Sequence, residues 1–275
     1  MKPSHGRVPT GGPEPPGWGD LSTRGLIARR IADVAYGLDA VIGPDPTDLR
    51  SLPMPEVSWI DAVREPHVPS RIAWSPTLGY APVDPEVLTI CENAISVLAH
   101  LGAEVDEVPR VFTEDPIGPW AAMTDSFNWR TVEHLSGRPE WDLLDPVISD
   151  SARRGERHTA AELARAMDEC HRLNLRLVGL FHQYRLLVTP TLATLPPLSG
   201  SPGLIAGEPD QNWVRFTYPF NCTRSPAATV CAGVSASGLP VGLQLIGPQH
   251  ADQVVLRAAA ALEDALALPG VASLA

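Results

Sequence analysis

The sequence predicts an α/β protein, and three observations lead there. A short apolar run at residues 71–74 is followed by helix-period apolar spacing over 86–100, then by a second short run at 103–108. Strand, helix and strand in that order make a sheet layer with a covering helix. Two further strand patterns, residues 228–231 and 241–246, flank the turn Ser235-Ala236-Ser237-Gly238. Between these regions lies a mostly helical stretch, residues 115–183.

Taken in order, residues 10–19 are rich in Gly and Pro and read as a loop. Residues 25–42 carry Leu26, Ile27, Ile31, Val34, Ala35, Leu38, Val41 and Ile42 at helical spacing, and Gly43-Pro44-Asp45-Pro46 stops that helix. Asp84-Pro85 fits the N-cap and first-turn positions of the helix over 86–100. Leu88, Cys91, Ile95, Leu98 and Leu101 are its expected inner face, and Gly102 is its stop. Thr159-Ala160-Ala161-Glu162 is a capping box that opens a long helix toward Tyr184. Residues 186–190 form a short buried strand that runs into a Pro-rich loop ending near Asp210. A last helix spans about 251–268, with Val254, Val255, Leu256, Ala259 and Leu262 on its apolar side.

The 275 residues carry a formal net charge of -11, with 44% hydrophobic and 19% charged residues. That balance suits a folded chain rather than a disordered one, and without a basic stripe it excludes a nucleic-acid partner. Residues 1–10 are polar, and no apolar run approaches a membrane span. The expected location is therefore the cytoplasm, with no membrane association. Cys91, Cys170, Cys222 and Cys231 form no C-x-x-C pair and read as reduced, mostly buried thiols. Lys2 is the only lysine, so chemistry that needs a lysine base has one candidate.

The usual chemical signatures are missing. His5, His67, His100, His134, His158, His171, His182 and His250 make no H-x-x-x-H or H-E-x-x-H pattern, so no metal site is expected. No phosphate-cradling glycine loop occurs, and no cofactor is expected. The nearest approach to a nucleophile elbow, Gly233-Val234-Ser235-Ala236-Ser237-Gly238, breaks the spacing and reads as a hairpin turn. Residue by residue, the chain is a soluble α/β protein with no visible active site.

Three stretches resemble the amidase-signature family. Lys2-Pro3-Ser4-His5-Gly6-Arg7-Val8-Pro9 is similar to the K-P-[ST]-x-G-R-[VI]-[PS] stretch that closes the family's signature region. Ala28-Arg29-Arg30-Ile31-Ala32-Asp33 and Gly43-Pro44-Asp45-Pro46-Thr47-Asp48 resemble its G-P-[ML]-A-R-x-[VI]-x-D helix and following turn, with Leu26 where the family usually has proline. The most specific stretch is Phe216-Thr217-Tyr218-Pro219-Phe220-Asn221, Ser225-Pro226-Ala227-Ala228 and Gly238-Leu239-Pro240-Val241-Gly242-Leu243-Gln244-Leu245-Ile246-Gly247-Pro248. It resembles F-T-x-x-x-N-x-x-G-x-P-A and G-L-P-x-G-[LV]-Q-[LI]-[IV]-G, with Arg224-Ser225 in place of the usual glycine-containing pair.

The resemblance implies the C-terminal part of the amidase-signature fold, a mixed β-sheet covered by helices, in one incomplete domain over residues 1–275. Residues 1–50 would end the signature region, 51–110 form a sheet/helix unit, 111–185 the variable helical region and 186–275 the C-terminal strands and helix. It also implies cleavage of carboxylic amide C–N bonds by a Ser–cis-Ser–Lys triad. All three triad members lie upstream of the K-P-[ST] stretch in the family. Lys2 matches that stretch and not the catalytic lysine, so no catalytic residue carries over, and this chain alone is expected to be inactive and poorly stable. A truncated reading frame, one half of a split amidase and a noncatalytic binding module all fit, and truncation is the expectation. Phe216, Thr217 and Asn221 are the substrate-binding candidates. Met123, Phe127 and Trp129 could also line a pocket, though core packing is the stronger reading for them. Arg7, Arg29 and Asp33 are expected to hold the fold. The expected partners are a small-molecule amide, once an N-terminal half completes the site, and a complementing chain or a second copy.

Overall fold

The computed structural model describes residues 1–268. In chain order the elements are α1 (Ile31–Asp39), α2 (Trp59–Val63), β1 (Arg71–Trp74), α3 (Pro85–His100), β2 (Glu104–Glu107), α4 (Ile117–Val132), α5 (Pro146–Gly155), α6 (Ala160–Phe181), β3 (Leu186–Pro190), β4 (Gly203–Ile205), β5 (Glu208–Asp210), α7 (Pro219–Cys222), β6 (Ala227–Val234), β7 (Pro240–Ile246) and α8 (Asp252–Leu266). Five strands form one mixed sheet in the order β2-β1-β3-β7-β6. β1 runs parallel to β2 and β3, while β7 is antiparallel to β3 and β6. The sheet is therefore mixed and helix-covered, as the resemblance implied.

The inner strands β1, β3 and β7 share their residues between two cores, because successive side chains point to opposite faces. Ile72, Trp74, Leu186, Val188, Leu243 and Leu245 face a core built with α1, α2, α3 and α8. Ala73, Leu187 and Ile246 face a second core with Met123, Leu173, Leu177, Phe216 and Phe220. β3 is buried along its whole length, as a central strand covered on both faces must be.

Local signals placed several elements well. Asp84 caps α3 by accepting from the Glu86 N–H at 3.0 Å, and Gly102, at φ +98°, ends it. Its inner face is Val87, Cys91, Ala94 and Leu98; Leu88 and Ile95 are half-buried and Leu101 is exposed. The capping box on α6 is complete, with Thr159 and Glu162 each accepting the other's backbone N–H.

Two elements differ from expectation for a physical reason. The helix expected over residues 25–42 forms only as α1. Arg30 is extended (φ -127°, ψ 148°), and the Leu26 N–H is drawn to the Met1 carbonyl at 3.1 Å, so the first third of the pattern pairs with Met1 instead of coiling. Ile27 is left fully exposed. The Pro-rich loop holds a small hairpin, β4 with β5, turning on Ala206-Gly207, both at positive φ.

The N-terminal residues are tied to the end of the chain. Lys2 and Ala227 exchange two backbone hydrogen bonds at 2.8 Å. Ser4 donates from its N–H to Asp252 Oδ1 at 2.7 Å and from its hydroxyl to Oδ2 at 2.8 Å, 248 positions away. Arg7 joins the same carboxylate at 3.4 Å and donates to the Pro53 carbonyl. Arg29 and Asp33 are exposed and make no ion pair among the described residues, so of the three residues expected to hold the fold only Arg7 does so. No helix is long and apolar enough to cross a membrane among the described residues.

Candidate functional site

The segment 216–222 follows Asp210-Gln211-Asn212 and turns tightly into α7, and its residues divide between core and surface. Phe216 is fully buried in the second core, and its carbonyl accepts from Gln244 Nε2 at 3.0 Å. Thr217 and Asn221 are half-buried and line a groove of about 340 Å³ with Lys2, Thr191, Thr229 and Gln244. The Thr217 hydroxyl donates to the Val214 carbonyl at 2.8 Å, and Asn221 Nδ2 donates to the Leu21 carbonyl at 2.9 Å. Thr191 and Thr229 are linked at 3.2 Å. The groove thus brings two of the three sequence candidates together and places Phe216 behind them, inside the protein.

Met123, Phe127 and Trp129 are not part of this groove. Met123 packs in the second core with its sulfur 3.7 Å from that of Cys170. Phe127 lies against Gly19, where an added Cβ would stand 2.5 Å from the ring. Trp129 packs edge-on to Trp141 at 6.4 Å.

The groove wall is mostly apolar, with Met1, Leu26, Ile27 and Ala227 beside a few hydroxyl and carboxamide groups, and apart from Lys2 it has no ionisable side chain. Burial pulls the Lys2 ammonium down to about 7, with Asp252 partly opposing that shift. Nζ donates to the Pro3 and Ser225 carbonyls, so its lone task here is to hold backbone. The nearby hydroxyls are also committed. Ser225 is buried against Thr223 at 3.1 Å, and Ser4 is held by Asp252. Hydroxyl and carboxamide groups at this spacing can accept from and donate to an uncharged polar group such as an amide, but nothing among them activates a nucleophile. Among the described residues no cluster of three His, Cys, Asp or Glu is arranged to hold a metal ion.

Gln244, Thr191, Thr229 and Lys2 are groove residues that the sequence candidates did not include. Gln244 had a signal: a carboxamide between Leu243 and Leu245, in a strand whose other inner positions are apolar. The two threonines had none: Thr229 is an ordinary residue of β6 and Thr191 lies just past β3, and they meet only when β3, β6 and β7 align.

The same fold recurs in known proteins. A bacterial aryl acylamidase of the amidase signature family superposes with a TM-score of 0.85 at 24% identity, over 96% of this chain and 57% of that one. The structure of 6-aminohexanoate cyclic dimer hydrolase superposes with a TM-score of 0.85 at 25% identity, over 96% of this chain and 59% of that one. In sequence, the chain is 34% identical over 256 residues to the acylamidase of Rhodococcus erythropolis, covering 87% of this chain and 51% of that protein. The chain spans about half the length of the curated relatives it matches. Residues 1–256 match the family described as Amidase, and the chain belongs to that family.

Proposed function

We propose that this chain supplies the substrate-pocket half of a hydrolase that cleaves carboxylic amide C–N bonds. Thr217 and Asn221 line the acyl side of the pocket, Phe216 sets their position from within the core, and the nucleophile and base come from polypeptide outside these residues. The observation that carries this reading is the groove itself: family membership over residues 1–256 points to an amide substrate, and two of the residues singled out by motif stand together among a few polar groups on a mostly apolar wall. Lys2 is unsuited to the base role, because its ammonium is engaged by two carbonyls and the hydroxyls around it already have partners. These residues alone are expected to be inactive.

The test is hydrolysis of a panel of aliphatic and aryl amides by the purified 275-residue chain, with circular dichroism on the same sample. The expected result is no hydrolysis by the chain alone, and hydrolysis once the amino-terminal half of an amidase-family relative is added. Turnover by the chain alone that survives repurification would overturn the assignment of the nucleophile. A cooperatively folded, monodisperse chain that stays inactive with every complementing half would instead favour a binding module.

A further inference from the structure

We propose that Cys170, Cys222 and Met123 form a three-sulfur site for a soft monovalent metal ion, copper(I). The site is independent of the amide-hydrolase assignment above, since none of the three side chains lines the groove.

The sulfurs come from three separate elements. Met123 lies on the buried side of α4, Cys170 on that of α6, and Cys222 at the end of α7. All three belong to the second core, and none is more than 9% exposed. The Cys170 thiol donates to the Met123 sulfur at 3.7 Å, and the Cys222 thiol donates to the Cys170 sulfur. Cys170 therefore touches both of the others, and both cysteines are free thiols. Two sulfurs bound to one metal ion at about 2.3 Å each stand about 3.8–4.0 Å apart at angles from tetrahedral to trigonal. The spacing of Cys170 and Met123 falls just short of that range, so an ion enters between them with a small shift. α6 packs against both α4 and α7, and these contacts hold the three ligands together before any metal arrives.

The donor set selects the ion. Thiolate and thioether sulfurs favour copper(I), which two or three of them satisfy. Structural zinc takes four ligands, and among the described residues no His, Asp, Glu or third Cys joins the two thiols. Binding changes no oxidation state: copper(I) accepts an electron pair from each sulfur, and the two thiol protons leave to water. The bound group then carries one negative charge, which Arg224 favours and Glu169 opposes at Cys170. Cys170 keeps 9% of its surface exposed, so the ion is met first by that thiol. Cys222 directly follows Asn221, a groove residue, so the bound ion would also tie the 216–222 turn to α4 and α6.

The probe is copper(I), supplied without oxygen as its acetonitrile complex to the full 275-residue chain carrying Cys231→Ser, which removes the exposed thiol. Bicinchoninate competes for the metal, native mass spectrometry counts it, and X-ray absorption counts its sulfur neighbours. The expected result is one ion per chain with three sulfurs at about 2.3 Å. Met123→Leu keeps the core volume and is expected to reduce the shell to two sulfurs and weaken binding about tenfold. Cys170→Ser and Cys222→Ser are each expected to weaken it about a hundredfold or more. Circular dichroism on the same samples separates a lost ligand from a lost fold. If Cys222→Ser unfolds, Cys170→Ser and Met123→Leu still decide. Unchanged affinity in Cys170→Ser, or a third sulfur that persists in Met123→Leu, overturns the site. A Cys170–Cys222 disulfide in place of bound copper, or zinc(II) held by the same thiols as tightly as copper(I), overturns it as well.

Discussion

Gln244 and Phe216 are joined inside the protein: Gln244 Nε2 donates to the Phe216 carbonyl at 3.0 Å while also donating to the Thr189 hydroxyl at 3.1 Å. One carboxamide thus pins β7, β3 and the start of the 216–222 turn. Gln244→Leu leaves the Phe216 carbonyl buried without this partner, a loss of about 1–3 kcal/mol. Urea denaturation checks it; an unchanged midpoint would show that the carbonyl finds another donor.

Phe216 and Thr217 are neighbours with opposite expected phenotypes. Phe216→Ala empties a fully buried site and should cost about 3–5 kcal/mol of stability, read by thermal unfolding. Thr217→Val keeps the shape and should leave stability within about 1 kcal/mol. In the complemented enzyme it should raise KM for amides roughly tenfold, because the groove loses a hydroxyl. An unchanged KM would remove Thr217 from the pocket.

Ser4→Ala breaks the hydroxyl bond to Asp252 Oδ2 and the one that Ser4 Oγ accepts from the His250 N–H at 2.9 Å. Asp252 is buried and left short of a donor while His250 is exposed, so the expected loss is about 1–3 kcal/mol. In a chain of this size each kcal/mol lowers Tm by about 2–4 °C. A Tm within a degree of wild type would mean that water replaces the hydroxyl.

Lys2 gives the stability a pH signature. Its ammonium titrates at about 7 in the folded chain, against an ordinary 10.5. Between those values the unfolded chain holds a proton that the folded chain has released, so stability rises with pH across that window and is flat in this respect below it. Urea midpoints at about pH 6.5 and about pH 9 should therefore diverge, and Lys2→Met should reduce the divergence. Equal pH slopes for wild type and variant would contradict the shift.

The parts of the fold legible in sequence are those whose signals are local. The Thr159–Glu162 box and the Asp84-Pro85 start determine their helices by side chains that reach only two or three residues. Residues 25–30 show the limit. Their apolar spacing suits a helix, but Met1 offers the Leu26 backbone a partner 25 positions away, and a bond over that separation leaves no trace in the local spacing. The candidate site divides in the same way. The motif that contains Phe216, Thr217 and Asn221 locates the turn, yet which of the three faces the groove depends on where Gln244 holds the Phe216 carbonyl.

The bonds from Lys2 to Ala227 and from Ser4 to Asp252 also order events during folding. The Ser4 bond joins residues 248 positions apart, so residues 2–4 wait for β6 and α8 before they have partners. Closing loops of that length is slow compared with forming the β6–β7 hairpin or extending α6. Residues 2–4 are therefore a late fastener on an almost finished sheet, and until they close, the edge of β6 at Ala227 is open to any extended chain that reaches it first.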